Sequence, residues 1–130
     1  EVIAVVHAGR AGAFFNIIKV TLDSFREDFD SNIKDIYVSI GPNICECCYE
    51  VGSEIYEQSK KLYLDYAIST KNNSYFLNIS KILHKQLLEE GILEDNIEFS
   101  EECNACNTDK YFSYRMEKEA GRFCGLLMLT

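Results

Sequence analysis

The hydrophobic rhythm of this sequence switches repeatedly between the two-residue period of strands and the 3.6-residue period of helices. That alternation restricts the fold more than any other feature. Val2 to Val6 is a β-branched apolar run ending at His7 and reads as a buried strand. From Ala13 to about Phe29, residues Phe14, Ile17, Ile18, Leu22, Phe25 and Phe29 recur at helical spacing, with Lys19, Asp23, Arg26, Glu27 and Asp28 opposite. Asp35 to Ile40 alternates as a second strand, and Gly41-Pro42 stops it. The loop Asn43 to Gly52 precedes a helix over Ser53 to about Tyr63, with Ser53 as its N-cap. Tyr75 to Leu77 is a short strand. Asn78 then caps a helix whose core face is Ile79, Ile82, Leu83 and Leu87, with Gly91 as the C′ residue. Ile97–Phe99, Tyr111–Tyr114 and Phe123–Leu129 read as strands, with a turn at Glu117–Arg122. Strands alternate with helices early and cluster late, which predicts a layered mixed α/β domain: a mixed β-sheet flanked by helices.

A chain of 130 residues is long enough for one core, and its only proline is Pro42. No Gly/Ser-rich stretch interrupts it, so residues 1–130 read as a single domain. The opening Glu-Val-Ile-Ala-Val-Val, without Met, reads as a strand already under way, hence as a cut. The formal net charge is −8, which argues against a nucleic-acid partner, because phosphate backbones need a basic face. Small anions remain open as substrates, since one or two arginines hold them. No apolar run approaches the roughly 18 residues of a membrane span, and no signal peptide is visible. The expected location is the cytoplasm, where the six cysteines would be free thiols rather than disulfides.

His7 lies at the carboxyl end of the first strand, ahead of Ala8-Gly9-Arg10-Ala11-Gly12. Glycine-containing turns at strand ends let a backbone approach a ligand closely. A hydrogen-bonded core histidine fits the same position equally well. The loop after the second strand packs Cys45, Glu46, Cys47, Cys48, Tyr49 and Glu50 together, and Cys103 and Cys106 follow later. Cys45-x-Cys47 with Cys103-x-x-Cys106 spells a tetrathiolate zinc knuckle, and buried or merely reduced thiols are the plainer reading. Cys103 as nucleophile with His7 as base would make a cysteine hydrolase. Arg115 and Arg122 flank a turn and suit phosphate or carboxylate, or stand solvated on the surface. His84 flanks an amphipathic helix and is assigned no role.

These segments, in this order, resemble the laccase-domain (YfiH-like) family. That family carries His-Ala-Gly-Trp-Arg-Gly after a strand; here the run is His7-Ala8-Gly9-Arg10-Ala11-Gly12. Its Gly-Pro-x-Ile loop and aromatic-Glu-Val-Gly stretch correspond to Gly41-Pro42-Asn43-Ile44 and Tyr49-Glu50-Val51-Gly52. Its Asp-x-Cys-Thr, Phe-Phe-Ser-Tyr-Arg and Thr-Gly-Arg motifs correspond to Glu101-Glu102-Cys103-Asn104, Tyr111-Phe112-Ser113-Tyr114-Arg115 and Ala120-Gly121-Arg122. The family's tryptophan is missing, Arg10 stands one place early, and Asn104 replaces a threonine.

The resemblance implies a YfiH-like fold of which this chain is the C-terminal portion. It also implies a zinc-dependent purine nucleoside phosphorylase acting on adenosine, inosine or guanosine with phosphate, and adenosine deamination as a side activity. In that reading His7 is the last of three zinc ligands, two histidines and a cysteine, and none of the six cysteines here matches the metal cysteine. His7 and Glu50 are the candidate catalytic residues, and Arg10, Tyr49, Cys103 and Arg115 the candidate substrate contacts. Arg115 would hold the anion and Glu50 the ribose hydroxyls or a proton. The family's older label, copper-dependent polyphenol oxidation, is a rival, although multicopper sites are built mostly from imidazoles and this chain has two histidines. A non-enzymatic thiol–zinc interaction module is another. The implied partners are purine nucleosides and phosphate, with self-association or pairing with an N-terminal part; neither nucleic acid nor membrane is expected.

Overall fold

The computed structural model describes residues 1–130 and is a mixed α/β arrangement. Two helices open it, α1 (Arg10–Phe14) and α2 (Ile17–Glu27). The continuous helix expected over Ala13–Phe29 is broken at Asn16, whose backbone is left-handed (φ 56°, ψ 57°). Its side-chain oxygen accepts the Lys19 N–H at 3.0 Å, so one residue ends one helix and caps the next. Apolar periodicity runs through this break because both helices pack on the same core.

β1 (Val38–Ile40) is shorter than the expected Asp35–Ile40 strand. Asn32 caps a 3₁₀ turn at Ile33–Asp35 instead, accepting the Lys34 N–H. β1 pairs in parallel with β5 (Ile97–Phe99), the strand expected there, in the register Val38↔Ile97 to Ile40↔Phe99. An isolated parallel bridge, Asn43↔Cys103, prolongs the pairing beyond the strand ends.

The second sheet has the order β2–β4–β3, both pairs antiparallel: β2 (Glu50–Val51), β4 (Ser74–Leu77) and β3 (Ile68–Lys71). β3 and β4 form a tight hairpin whose two turn residues, Asn72 and Asn73, both have positive φ (50° and 61°). Asparagine tolerates this conformation, which matches strand twist. α3 (Ser53–Lys61) starts one residue earlier than expected: Gly52 is its N-cap and no side chain caps it, so Ser53 is the first helical residue. α4 (Ile79–Glu89) is as expected, with Asn78 Oδ1 accepting the Lys81 N–H at 2.9 Å and Gly91 at φ +96° after its end.

α4 supplies the core. Ile79, Ile82 and Leu83 join Ala13, Phe14, Leu64, Ala67 and Leu77 in one buried cluster. Leu87 joins Leu22 and Ile92 in a second, over which Val38, Ile40 and Ile97 of the parallel sheet pack. Three expected strands are not strands. Val2–Val6 and Phe123–Leu129 have no regular secondary structure and join no ladder, and Tyr111–Tyr114 is turn and irregular backbone. Apolar composition suits a strand, but a strand exists only where a neighbour takes its N–H and C=O groups. Val5 and Leu126 are 63% and 91% exposed, which fits the lack of a neighbour. No helix is long and apolar enough to cross a membrane.

Candidate functional site

His7 is exposed and immediately precedes the turn into α1. Gly9 is the N-cap of that helix, and the His7 ring folds over it: a Cβ built on Gly9 would lie 3.2 Å from His7 Nε2. This close approach is what a glycine two residues after the histidine permits. Arg10 is the first residue of α1, half-buried. The zinc site implied by the resemblance needs two histidines and a cysteine. His7 belongs to no cluster of ligating side chains within residues 1–130, so those residues alone do not make up that site.

β2 and the turn before it position Tyr49 and Glu50. The Tyr49 carbonyl accepts the Leu77 N–H at 3.0 Å, which ties it to the end of β4. Its half-buried ring packs on the first core cluster, as does Ala8 beside His7. The Arg115 guanidinium lies over this ring, 5.1 Å from its centroid, a cation–π distance. Two motifs far apart in the sequence therefore meet. Glu50 points outward and accepts the Ser74 hydroxyl at 2.7 Å from the neighbouring strand. Ser113, two residues before Arg115, is buried and its carbonyl accepts the Glu117 and Met116 N–H groups. That turn holds Arg115 in place.

The most concentrated chemistry lies in the cysteine loop. Cys45, Cys47, Cys48 and Cys106 bring their sulfurs within 4.8 Å of one another, so this cluster can hold a metal ion. All six cysteines are free. The sequence spacing suggested Cys103 as the fourth thiol; the structure puts Cys48 there. A 3₁₀ turn at Glu46–Cys48 brings Cys48 to Cys106, 3.3 Å between sulfurs. Cys103 is buried beside the cluster, and its sulfur accepts the Cys45 N–H at 3.2 Å. Burial opposes its ionisation, but hydrogen bonds from the Cys45 thiol and from the Cys45 and Cys106 N–H groups outweigh it, and the thiol sits at about 6. No hydrogen bond joins Cys103 to His7, so the nucleophile–base pair is not assembled here. Burial pushes the Cys45 thiol far up, and the hydrogen bond to Cys106 takes Cys48 to about 12.

A cleft runs alongside, lined by Asn43, Cys45, Glu46, Asn78, Glu101 and Glu102. The Ser69 hydroxyl and then the Asn78 amide hold the Glu46 carboxyl below its ordinary value. The cleft thus presents carboxylates rather than cations and is not built for phosphate. Asn104, standing where the family has threonine, keeps its Oδ1 buried without a partner. His84, left without a role by sequence, bonds Glu94 at 2.8 Å and meets Phe99 edge-on. Sequence reasoning missed the contribution of Cys48 to the cluster; the adjacent Cys47-Cys48 pair was the available signal.

Comparison with known proteins gives a consistent picture. The family model described as multi-copper polyphenol oxidoreductase laccase matches residues 1–130. A purine nucleoside phosphorylase of Clostridium acetobutylicum is 34% identical over 98% of this chain and 54% of its own length. A second, from Bacteroides thetaiotaomicron, is 28% identical over 98% of the chain and 49% of its own. An adenosine deaminase from an unknown prokaryotic organism is 27% identical over 88% of the chain. The chain therefore spans about half the length of the curated relatives it matches. Among solved structures, Bacillus licheniformis hypothetical protein YfiH superposes with a TM-score of 0.79 at 31% identity, covering 87% of this chain and 44% of that one. YlmD from Geobacillus stearothermophilus gives 0.77 at 26% identity, covering 87% and 43%. The expected YfiH-like fold is therefore present, and the chain belongs to the multi-copper polyphenol oxidoreductase laccase family.

Proposed function

We propose that residues 1–130 are the C-terminal portion of a single laccase-like domain that catalyses phosphorolysis of purine nucleosides. The observation that carries this reading is the meeting of Arg115 with Tyr49, which sets an exposed guanidinium beside a half-buried aromatic ring. A guanidinium fork suits phosphate, and a flat ring suits a purine or ribose face. The relatives named purine nucleoside phosphorylase support it over nearly the whole chain.

In this reaction a phosphate oxygen forms a bond to the ribose anomeric carbon while the bond from that carbon to the purine nitrogen breaks. The electron pair leaves on the base, which takes up a proton, giving free base and ribose 1-phosphate. Arg115 holds the phosphate, with Arg10 as a second cation at the start of α1. Glu50 takes the ribose hydroxyls or carries the proton, and Tyr49 and Cys103 contact the nucleoside. His7 serves as one ligand of a zinc whose other ligands lie outside residues 1–130. Adenosine deamination is a side activity, and the compartment is the cytoplasm. Within residues 1–130 copper oxidase chemistry would have His7 alone as a free imidazole, because His84 is engaged with Glu94.

The test is incubation of the full-length protein with inosine or adenosine, with and without phosphate, quantifying base and ribose 1-phosphate. Phosphate-dependent base release that vanishes in His7→Ala, together with bound zinc, is the expected result. No release from intact zinc-loaded protein would sink the phosphorylase reading.

A further inference from the structure

The cysteine cluster fits neither substrate nor the His7 centre, and it has the dimensions of a different kind of site. A tetrahedral ion with metal–sulfur bonds of about 2.3 Å requires sulfur–sulfur separations of about 3.8 Å. Here Cys45–Cys106 is 3.8 Å, Cys47–Cys48 is 3.9 Å, Cys48–Cys106 is 3.3 Å and Cys45–Cys47 is 2.9 Å. Every pair lies within 4.8 Å. None is at the roughly 2.05 Å of a disulfide. Moving Cys45 and Cys47 apart by about an ångström, with the wider pairs closing from at most 4.8 Å toward about 3.8 Å, would centre an ion among all four.

We propose that Cys45, Cys47, Cys48 and Cys106 hold a structural zinc ion, separate from any metal at His7, which staples the 43–52 loop to the 103–107 turn. Four thiolates fill the tetrahedral shell and leave no open position, so the site is structural rather than catalytic. Thiolate sulfur also selects zinc over magnesium or calcium. As the ion binds, each thiol gives its proton to solvent and its sulfur lone pair to the metal.

Two observations say why a staple belongs here. The loops are already aligned without it: Asn43 bridges Cys103, the Asn104 N–H meets the Asn43 carbonyl at 3.1 Å, and the Cys45 N–H meets Cys103. Little reorganisation is therefore needed to assemble the ligands. Beyond residue 100, moreover, the chain has no helix or strand, and only Cys103, Ala105 and Ser113 are buried. This stretch carries Arg115, and it has too little apolar burial to hold itself against conformational entropy. The two clusters of the core lie elsewhere. The proposal does not rest on the phosphorylase reading.

The experiment uses full-length protein purified without chelator, as wild type, His7→Ala, Cys103→Ala and the pair Cys47→Ser with Cys106→Ser. Zinc content is measured on each. His7→Ala is also exchanged into cobalt(II) for its absorption spectrum. His7→Ala is expected to keep about one equivalent of zinc and, with cobalt, to show intense thiolate-to-metal charge-transfer and tetrahedral ligand-field bands. Cys103→Ala should keep that ion, and the double variant should lose it. Chelation of His7→Ala should make the chain beyond residue 100 several-fold more sensitive to protease. A metal-free His7→Ala, cobalt bands without thiolate character, disulfides among these cysteines, or iron or copper in place of zinc would each overturn the assignment. The cobalt spectrum comes from a protein with all four thiols intact, so poor folding of the double variant does not decide the matter.

Discussion

Gln86 is almost fully buried on the core face of α4, where the helix's other buried residues, Ile79, Ile82, Leu83 and Leu87, are all apolar. Its Nε2 donates to the Ala13 carbonyl at 2.8 Å, joining α4 to the end of α1, but its Oε1 has no partner. The bond contributes about 1 kcal/mol, whereas an unsatisfied buried acceptor costs about 1–3 kcal/mol. Ala13 O would not be orphaned by its loss, because it also accepts the Asn16 N–H. Gln86→Met, similar in length and apolar, should therefore range from neutral to about 2 kcal/mol more stable by urea unfolding. A clear loss of stability would mean Oε1 is satisfied by an ordered water. Arg115 permits a functional counterpart. If it binds phosphate, Arg115→Met should raise the KM for phosphate by roughly 10- to 100-fold, the worth of hydrogen bonds to a charged group. The KM for nucleoside should move far less, and equal rises in both would remove Arg115 from the anion site. The residue types of this region were legible in sequence through their motifs. Their meeting was not, because nothing local links Tyr49 to Arg115; only the fold beyond residue 100 brings them together.

Among elements, the caps show where sequence reading succeeds and where it fails. Asn78 was legible because it directly precedes an apolar stripe, and it caps α4 as expected. It does more than that, since its amide also donates to Glu46 at 3.0 Å and so ties the helix start to the cysteine loop. Asn16 was not legible. It lies inside an apolar periodicity that continues across it, and its left-handed backbone is set by packing of α1 and α2 against α4. The expected ordering of substitutions there is the reverse of helix propensity. Asn16→Ala loses the cap, about 1 kcal/mol, and with it the local side-chain hydrogen bond that lets asparagine tolerate the left-handed region, where alanine's own cost reaches about 1–2 kcal/mol. Asn16→Gly should cost only a few tenths, because glycine adopts this conformation freely. Equilibrium unfolding of the two variants checks the order, and an alanine variant as stable as the glycine one would mean that α1 and α2 can fuse. The β3–β4 hairpin was overlooked although Asn72-Asn73 is a turn signal, because β3 lacks an apolar rhythm of its own. The terminal runs failed in the opposite way, apolar enough for strands but without partners.

For the molecule as a whole, exposed area is the informative quantity. A folded monomer of 14.9 kDa should expose about 7,000 Å², yet this chain exposes 8916 Å². The excess of about 1,900 Å² is more than twice what one partner contributes to a typical protein interface. It is also apolar in character where it is most continuous: Ile3, Val5 and Val6 at one end, and Phe123, Leu126, Leu127, Met128 and Leu129 at the other, are exposed. Apolar runs of this kind on unpaired backbone present both hydrophobic surface and free N–H and C=O groups, which together favour strand addition. A net charge of −8 opposes association through long-range repulsion, but salt at 0.15 M confines that repulsion to about 8 Å. Contact burial therefore wins at close range. Residues 1–130 expressed alone should elute larger than 14.9 kDa in size-exclusion chromatography with light scattering, and should bind a hydrophobic dye. Adding salt should increase the associated fraction rather than dissolve it. Replacing Leu126 and Met128 by lysine should shift the population toward monomer without lowering the unfolding midpoint, since neither side chain is buried in the core. A monodisperse, dye-negative monomer at micromolar concentration would show that the two apolar ends cover each other in solution, and the excess surface would then lose its meaning as a contact face.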